Sequence, residues 1–167
     1  VTVVPLDVTD TRSVEALAAL ICGKVDILIN TAEHHRTKHL GSGGLETARA
    51  EMDVNYLGLM RLIDAFGPAL KARAADAPTS ATAWVNILSI HALSALPSQA
   101  TFSASKAAAF ALSQSLRADM TKAGIRVINA FPGPVDEEWN QQLPPPKITP
   151  AALASAIVAA LKEGVED

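Results

Sequence analysis

The apolar positions of this sequence fall into two kinds of pattern along the chain. Four short runs are rich in Val, Ile and Leu, which is typical of buried strands: residues 1–8, 25–30, 83–90 and 125–131. Between these runs, apolar residues recur with helical spacing, which predicts helices that begin near residues 11, 46, 98 and 150. Strands that alternate with helices in this way predict an α/β fold with a parallel sheet.

Prolines refine this outline. Pro5 has no N–H to donate to a strand ladder, so we expect residues 1–8 to form an edge strand. Pro68 lies inside the long helical pattern over residues 46–72 and should kink that helix or end its regular hydrogen bonding. Pro150 suits the first turn of the last helix, where its missing N–H would have no partner anyway.

The composition is that of a single globular domain. The chain has 167 residues, of which 49% are hydrophobic and only 4% aromatic, so its core must consist mainly of Ala, Val, Leu and Ile. Its 14 basic and 17 acidic residues give a net charge of −3. This balance offers no electrostatic basis for binding nucleic acid or an anionic membrane, and we predict neither as a partner.

Several further classes are excluded by residue usage. The single cysteine, Cys22, excludes an intrachain disulfide framework and a multi-cysteine zinc site. The histidines His34, His35 and His91 lack the spacing of metal ligands, so no metal site is predicted. No apolar run is long enough to span a membrane and no signal-peptide pattern opens the chain, so we expect a cytoplasmic protein.

A binding crevice can be located from the strand order alone. In a parallel α/β sheet, ligands bind beyond the carboxyl ends of the strands. The segments that follow the four predicted strands are Asp7 and residues 30–33, 89–91 and 132–136. The sequence therefore predicts one site to which these four segments contribute.

Six short motifs are distributed over most of the chain. They are LDVTD at residues 6–10, LINTA at 28–32, MDVNYLG at 52–58, VNILS at 85–89, FSASK at 102–106 and INAFPGPV at 128–135. In type and order they resemble the motifs of the short-chain dehydrogenase/reductase family. One such motif would be weak evidence, but six in register indicate common ancestry. The resemblance implies a Rossmann-like doubly wound parallel sheet.

The resemblance begins at the third strand of the family. It implies that the chain holds family strands three to six with their flanking helices, and that residues 1–8 lie at a sheet edge, in agreement with Pro5. The first two family strands and the glycine-rich turn between the first strand and helix have no counterpart. Val1 also lies inside a strand-like run. We therefore expect residues 1–167 to form one incomplete Rossmann-like domain that is part of a longer protein.

The resemblance also implies a reaction, hydride transfer between a nicotinamide and a carbonyl or alcohol carbon. The positions that match the family's catalytic residues are Asn55, Ser89, Phe102 and Lys106. In the family, a tyrosine whose pKa is lowered by the lysine transfers the proton, the serine orients the carbonyl, and the asparagine supports a water-linked proton path. Phe102 occupies the tyrosine position here, four residues before Lys106. The usual acid–base group is therefore missing.

NAD or NADP is the cofactor that the resemblance implies. The positions that match cofactor contacts are Asp7, Asn30, Ala32, Lys106, Pro132, Gly133 and Val135. Glu33 stands where the family has a glycine and would be strained if a positive φ were needed there. Asp136 stands where the family usually has a threonine. Without a glycine-rich turn to cradle the pyrophosphate, this chain alone should bind either nucleotide no more tightly than roughly millimolar.

Two interpretations of function follow. In the first, the protein is an NAD(P)-dependent oxidoreductase that acts on a small-molecule carbonyl or alcohol and is impaired by Phe102, with His91 and Ser103 as nearby alternative proton donors. In the second, it is a non-catalytic member of the family that serves as a binding or assembly subunit. Phe102, Glu33 and the absent glycine-rich turn favour the second interpretation.

The retained family positions favour the first interpretation. Taken alone, Ser89 could merely cap a backbone group at a strand end. Lys106, on an alanine-rich helix, could likewise be an ordinary solvated lysine. Their register with the other motifs is what gives them a functional interpretation.

The resemblance also implies a partner. In the family, the helices that match residues 46–72 and 102–120 build the dimer interface, so we expect a homo-oligomer.

Overall fold

The chain forms a parallel sheet flanked by helices. The computed structural model describes residues 1–36, 44–76 and 81–167, except for the side chain of Trp139. Three strands lie side by side in the order β1-β2-β3, with β1 at Ile27–Asn30, β2 at Ala83–Ile87 and β3 at Arg126–Ala130. All of their pairings are parallel. The predicted parallel α/β sheet is confirmed for these three strands.

Five α-helices connect and flank the strands in the described part of the chain. They are α1 at Thr11–Ile21, α2 at Leu45–Met52, α3 at Gly58–Asp76, α4 at Ala100–Met120 and α5 at Pro150–Glu163. A π-helical turn at Asp53–Leu57 joins α2 to α3, so the long helix predicted from residue 46 is continuous but not regular. Such turns are rare and occur frequently at functional sites.

Helices cover both faces of the sheet, as in a doubly wound fold. On one face, the side chains of Trp84 and Val127 are fully buried against residues of α1, α3 and α4. On the other face, Val85 and Ile128 pack against Ile157 of α5. Successive strand residues point to opposite faces, so consecutive apolar residues in β2 and β3 allow each strand to contribute to both cores.

Helix ends follow the local sequence. The carboxylate of Asp10 accepts a hydrogen bond from the second amide of α1, and Thr149 accepts one from the amide of Ala152 at 3.2 Å. Pro150 is the first residue of α5, as predicted. After α4, Gly124 adopts a φ of +72°, a conformation that glycine reaches without the steric cost that a Cβ imposes.

Pro68 does not end its helix. The α3 helix continues through this residue to Asp76, so of the two predicted alternatives, a kink or an end of the helical hydrogen bonding, the end does not occur. The buried residues Leu62, Phe66 and Leu70 lie on both sides of the proline and pack into the core. Tertiary packing of this face outweighs the local cost of one missing donor, because most helix stability in proteins comes from such packing.

Residues 1–8 do not form the predicted edge strand. Val3 is 89% exposed, and no strand in the described residues pairs with this segment. A strand needs a neighbour for its N–H and C=O groups, and an extended segment without one gains no ladder hydrogen bonds. The segment is instead attached at its end, where a guanidinium N–H of Arg61 donates to the carbonyl oxygen of Val8 at 3.0 Å.

A chain of polar side chains is buried under the sheet. The indole N–H of Trp84 donates to the side-chain oxygen of Asn86 at 2.8 Å, and the amide of Asn86 donates to the hydroxyl of Ser113 at the same distance. Ser113 in turn donates to Asn129. Trp84, Asn86 and Ser113 have no solvent exposure. This network ties β2 and β3 to α4, and the sequence patterns did not predict it.

Candidate active site

A cavity opens at the carboxyl ends of the strands, where the sequence predicts a site. It has a volume of about 820 Å³. Five of the candidate residues line it, namely Ser89, Phe102, Pro132, Gly133 and Val135. These residues come from the loop after β2, the start of α4 and the loop after β3. The strand order therefore brings together residues that are far apart in the sequence.

Ser89 lies two residues after the end of β2 at Ile87. Its hydroxyl oxygen accepts a hydrogen bond from the backbone N–H of His91 at 3.2 Å and so caps a short 3₁₀ turn at Ile90–Ala92. The side chain also lines the cavity. Ser89 can cap this turn and still donate a hydrogen bond into the cavity, because a hydroxyl that accepts one hydrogen bond keeps its own O–H to donate.

Lys106 is almost completely buried, with only 2% of its side chain exposed. Its ammonium nitrogen lies 2.8 Å from Glu33 Oε2 and donates to the carbonyl oxygen of Ile87 at 3.2 Å. It also lies 5.5 Å from the centre of the Phe102 ring, because the two residues are one helical turn apart on α4. Lys106 is thus an ion-paired residue beneath the cavity and not a solvated one.

Glu33 is paired with two basic groups. Its Oε1 atom lies 3.4 Å from Nδ1 of His35, and its Oε2 atom contacts Lys106. Burial alone would raise the pKa of Glu33, but the hydrogen bond from His35 and the charge of Lys106 outweigh it and lower the pKa to about 2. No described non-glycine residue has a positive φ, so Glu33 causes no backbone strain of the kind considered from the sequence.

The contact with Glu33 shifts the pKa of His35. The hydrogen bond to Glu33 raises the pKa of His35 above its ordinary value of 6.5, although partial burial opposes this. The imidazole also makes an edge contact with the Phe102 ring, with 5.5 Å between the ring centres. His91 also makes an edge contact with the Phe102 ring, with 6.3 Å between the ring centres. Two imidazoles therefore contact the ring that stands in the tyrosine position.

These shifts predict a pH window for the stabilisation provided by the Glu33–His35 pair. Glu33 has a lowered pKa, so its contribution is present above its ordinary pKa of 4.5 and is lost as the pH falls towards 2. His35 has a raised pKa, so its contribution is present below 6.5 and is lost as the pH rises through the raised value. We expect His35→Gln to lower the melting temperature most between pH 4.5 and 6.5.

Thermal unfolding of both proteins across the pH range checks this window. The matched control is His91→Gln, which removes the other imidazole beside Phe102. A difference between wild type and His35→Gln that grows steadily above neutral pH would contradict the expected sign.

Asn55 lies in the π-helical turn and clamps the loop after β1. Its side-chain oxygen accepts from the backbone N–H of His34 at 2.9 Å, and its side-chain amide donates to the carbonyl oxygen of His34 at 2.8 Å. The same amide donates to the hydroxyl of Ser105 at 2.9 Å. The asparagine thus fixes the position of the loop relative to α4. This explains why a residue that disfavours helices occurs in the middle of one.

Glu51, one turn before Asn55, also holds the loop after β1 through a hydrogen bond that the sequence analysis did not predict. Its Oε1 atom accepts from the backbone N–H of Arg36 at 2.9 Å, and the residue is fully buried. Its Oε2 atom has no hydrogen-bond partner among the described residues. The signal that could have revealed it is its spacing of four from Asn55, which places both side chains on one helix face.

The remaining cofactor candidates line a different groove. Asp7, Asn30 and Ala32 border an apolar groove of about 530 Å³ beside the exposed edge of β1, and Glu33 lines both this groove and the cavity. Asn30 accepts a hydrogen bond from the amide of Ala32 at 3.2 Å. Asp7 accepts two from Thr9, which lower the pKa of its carboxyl. The candidates therefore fall on two adjoining surfaces.

Asp136 points to a neighbouring loop residue. Its carboxylate accepts a hydrogen bond from Gln141 at 3.0 Å and lies 4.0 Å from the ammonium of Lys147. Asp136 does not line the cavity, whereas the next residue, Glu137, lines it together with Glu33. Among the described residues no cluster of His, Cys, Asp or Glu could hold a metal ion. No described helix is long and apolar enough to cross a membrane.

The chemistry of these groups fits a nicotinamide nucleotide, provided that Glu33 moves. An ammonium has three N–H donors, and two of those on Lys106 are directed at Glu33 and Ile87, which leaves a third for a ribose hydroxyl. Lys106 is buried, so a ribose can reach it only after Glu33 turns aside. The Glu33 side chain is 35% exposed, so part of it borders solvent.

Comparison with known proteins gives a consistent result. A family model described as short chain dehydrogenase matches residues 1–147. An uncharacterised oxidoreductase from Staphylococcus saprophyticus is 30% identical over 147 residues, which are 84% of this chain and 59% of that protein. Another from Staphylococcus haemolyticus is 29% identical over 167 residues, 96% of this chain and 70% of that protein.

One solved structure is similar over nearly the whole chain. It is a short chain dehydrogenase from Burkholderia cenocepacia in complex with NADP, with 40% sequence identity and a TM-score of 0.89. The match covers 98% of this chain and 66% of that chain, so the sequence spans about two thirds of its length. Because the family match extends over most of the residues and the sheet and helices superpose on this structure, the chain belongs to the short chain dehydrogenase family.

Proposed function

We propose that the protein is an NAD(P)-dependent oxidoreductase that transfers hydride between a nicotinamide and a small carbonyl or alcohol. The observation that carries this proposal is that Ser89 and Phe102 line one cavity at the carboxyl ends of the strands, with the ammonium of Lys106 5.5 Å from the Phe102 ring. Similarity to an NADP-bound family member supports the choice of cofactor. The cofactor supplies the hydride when it is bound.

Each residue then has a defined task. Ser89 donates its free O–H to the carbonyl oxygen of the substrate and so orients it beside the Phe102 ring. Lys106 donates to a ribose hydroxyl once Oε2 of Glu33 has withdrawn from it, while Oε1 of Glu33 keeps its contact with His35. Asn55 holds the loop that carries Glu33 and His35. The residues that would contact the nucleotide are Asp7, Asn30, Ala32, Lys106, Pro132, Gly133 and Val135.

Ser89→Ala tests the proposal directly. We expect it to lower kcat/KM for NADPH-dependent reduction of simple ketones by about tenfold, because one oriented hydrogen bond to the carbonyl oxygen is lost. The measurement is nucleotide oxidation followed by absorbance. The matched control is Ser94→Ala, which removes an exposed hydroxyl from the same loop. Equal losses in both variants would refute the assigned chemistry. So would a wild type that, at millimolar nucleotide, oxidises no NADPH with any ketone and reduces no NADP⁺ with any alcohol.

Glu33 should act as a competitor for Lys106. We expect Glu33→Ala to tighten NADPH binding by about fivefold, since a partly exposed ion pair is worth up to about 1 kcal/mol and must be broken before the ribose binds. Titration calorimetry or nucleotide fluorescence measures this change. Glu137→Ala is the control, because it removes the same charge from the same cavity without freeing Lys106. A similar gain in both variants would mean that only long-range charge matters.

The observation that most directly favours the non-catalytic interpretation is the phenyl ring of Phe102 in the position of the family's proton donor. A protein of that kind would bind nucleotide but would not turn over even when a tyrosine is restored. The activity of Phe102→Tyr therefore separates the two functions.

The proposal extends to assembly and location. The outer face of α4 exposes small side chains with helical spacing, Ala104, Ala107, Ala111 and Ala118, which would allow a second copy to approach closely. We propose a homo-oligomer that packs through α4 and the helices over residues 46–72. Sedimentation velocity tests this assembly. A cytoplasmic location and the lack of nucleic-acid binding stay predictions, supported by the charge balance and the single cysteine.

A further inference from the structure

A proton donor is needed wherever a ketone is reduced, and Phe102 cannot supply one. Ser89 keeps its O–H to donate, but a serine hydroxyl is too weak an acid to replace a phenol. Ser103, the other hydroxyl considered from the sequence, is buried and donates to the carbonyl oxygen of Gln99 at 2.8 Å. Lys106 also lies beside the phenyl ring, but it is buried and its ammonium is held by Glu33 and the carbonyl oxygen of Ile87. The two imidazoles, His35 and His91, are the remaining groups beside the ring that can exchange a proton near neutral pH.

We propose that His35 is the catalytic acid and base of this protein, in place of the missing tyrosine hydroxyl. This inference rests on the proposed oxidoreductase function. His35 lines the same cavity as Ser89 and contacts the ring of Phe102. Its Nδ1 atom is directed at the Glu33 carboxylate, which leaves Nε2, on the opposite side of the imidazole, to meet a substrate oxygen. The arrangement is that of a carboxylate that orients a histidine for proton transfer.

The loop around His35 is held on both sides of the residue. Asn55 binds the N–H and the C=O of His34, and Glu51 binds the N–H of Arg36. Both clamps are buried side chains of the helix that packs against this loop. Three backbone hydrogen bonds thus fix the peptide on either side of one imidazole, which is the preorganisation that proton transfer requires.

The charged groups that face His35 favour its protonated form. Glu33 contacts it from its own loop, and Glu51 acts on it from α2. Lys106, from α4, opposes them, and the pKa of His35 is nevertheless raised. The Nδ1 atom of His91 lies 3.4 Å from the carbonyl oxygen of Ser94, and no ion pair joins His91 to a carboxylate among the described residues. His35 is thus the imidazole that a carboxylate both orients and stabilises in its protonated form.

The proton balance of the step is complete. In reduction, the carbonyl carbon gains a hydride from the reduced nicotinamide, and the carbonyl oxygen gains the proton from His35 Nε2 as the C=O double bond becomes a single bond. A bound nicotinamide would thereby be oxidised, and the His35 imidazole becomes neutral. Solvent returns a proton to His35, whose side chain is 21% exposed. Oxidation of an alcohol runs the same steps backwards.

A carbonyl probe tests this role without hydride transfer. We would titrate the wild-type chain with cyclohexanone labelled with ¹³C at the carbonyl and follow its carbonyl resonance by NMR. We expect a downfield shift that grows as the pH falls through the pKa of His35, is lost in His35→Gln and persists in the control His91→Gln. No shift in the wild type, or a shift that persists in His35→Gln and disappears in His91→Gln, would overturn the proposal.

A kinetic experiment separates this inference from the proposed function. We expect His35→Gln to lower kcat/KM for NADPH-dependent ketone reduction by at least about tenfold and to remove the ionisation of His35 from its pH profile. Unchanged activity and an unchanged profile would overturn the inference while leaving the oxidoreductase intact. A His35-dependent carbonyl shift in a wild type that oxidises no nucleotide would support His35 and refute the oxidoreductase. Circular dichroism of His35→Gln and His34→Gln controls for folding.

Discussion

Phe102→Tyr should raise ketone reduction by about tenfold in the wild-type background and by about 10²-fold in the His35→Gln background. The substitution adds a hydroxyl to a ring that already lines the cavity and lies 5.5 Å from the ammonium of Lys106. That charge lowers the pKa of a phenol and makes it a better acid. The gain should be larger without His35 because the two donors serve the same proton, so their effects are not additive.

The measurement is kcat/KM for NADPH oxidation with a simple ketone, in all four combinations of the two substitutions. Phe110→Tyr is the matched control, since it adds the same hydroxyl on α4 where the ring contacts Phe131 and not the cavity. If the wild type already turns over at ordinary rates and Phe102→Tyr changes nothing in either background, another residue is the acid. His91→Ala would then be the next variant to measure.

Asn86→Leu should lower the free energy of unfolding by about 2 kcal/mol. Asn86 has no solvent exposure, and its side chain joins the indole N–H of Trp84 to the hydroxyl of Ser113. A leucine of similar size fills the space but leaves both of those groups without this partner. Buried polar groups that lose a partner cost more than the hydrogen bond contributed when it was intact, which sets the size of the effect.

Urea denaturation of the two proteins measures this loss from the midpoint at constant slope. Gln114→Leu is the control, because it makes a comparable polar-to-apolar change on the exposed face of α4 and should alter stability by less than about 0.5 kcal/mol. A wild-type-like midpoint for Asn86→Leu would show that the network under the sheet is replaceable by packing alone.

The fold was predictable wherever one segment carries its own pattern. The apolar runs of β2 and β3 and the spacing of α1 and α4 identify these elements, and Asp10 and Thr149 mark helix starts by a capping geometry that needs only a few neighbouring residues. Residues 1–8 have an equally strong strand composition but no partner strand among the described residues. Strand formation depends on a neighbour that composition does not reveal.

The site was predictable in part for a related reason. Ser89, Phe102 and Lys106 are placed by their mutual spacing, which the sequence states directly. The partners of Lys106 and Phe102 on the loop after β1, Glu33 and His35, meet them only after folding brings that loop onto α4. Long-range contacts between side chains of this kind carry no periodic signal. The sequence therefore did not predict these contacts, which only the folded structure shows.

The π-helical turn at Asp53–Leu57 has a consequence for how this family is aligned and engineered. A wider turn accommodates one more residue than an α-helical turn, and each residue rotates a regular helix by roughly 100°. Deleting a single residue there would let the helix become regular but would turn α2 away from the loop that Glu51 holds. A one-residue gap at this place in an alignment would therefore mark a change in loop attachment, even where every neighbouring residue is identical.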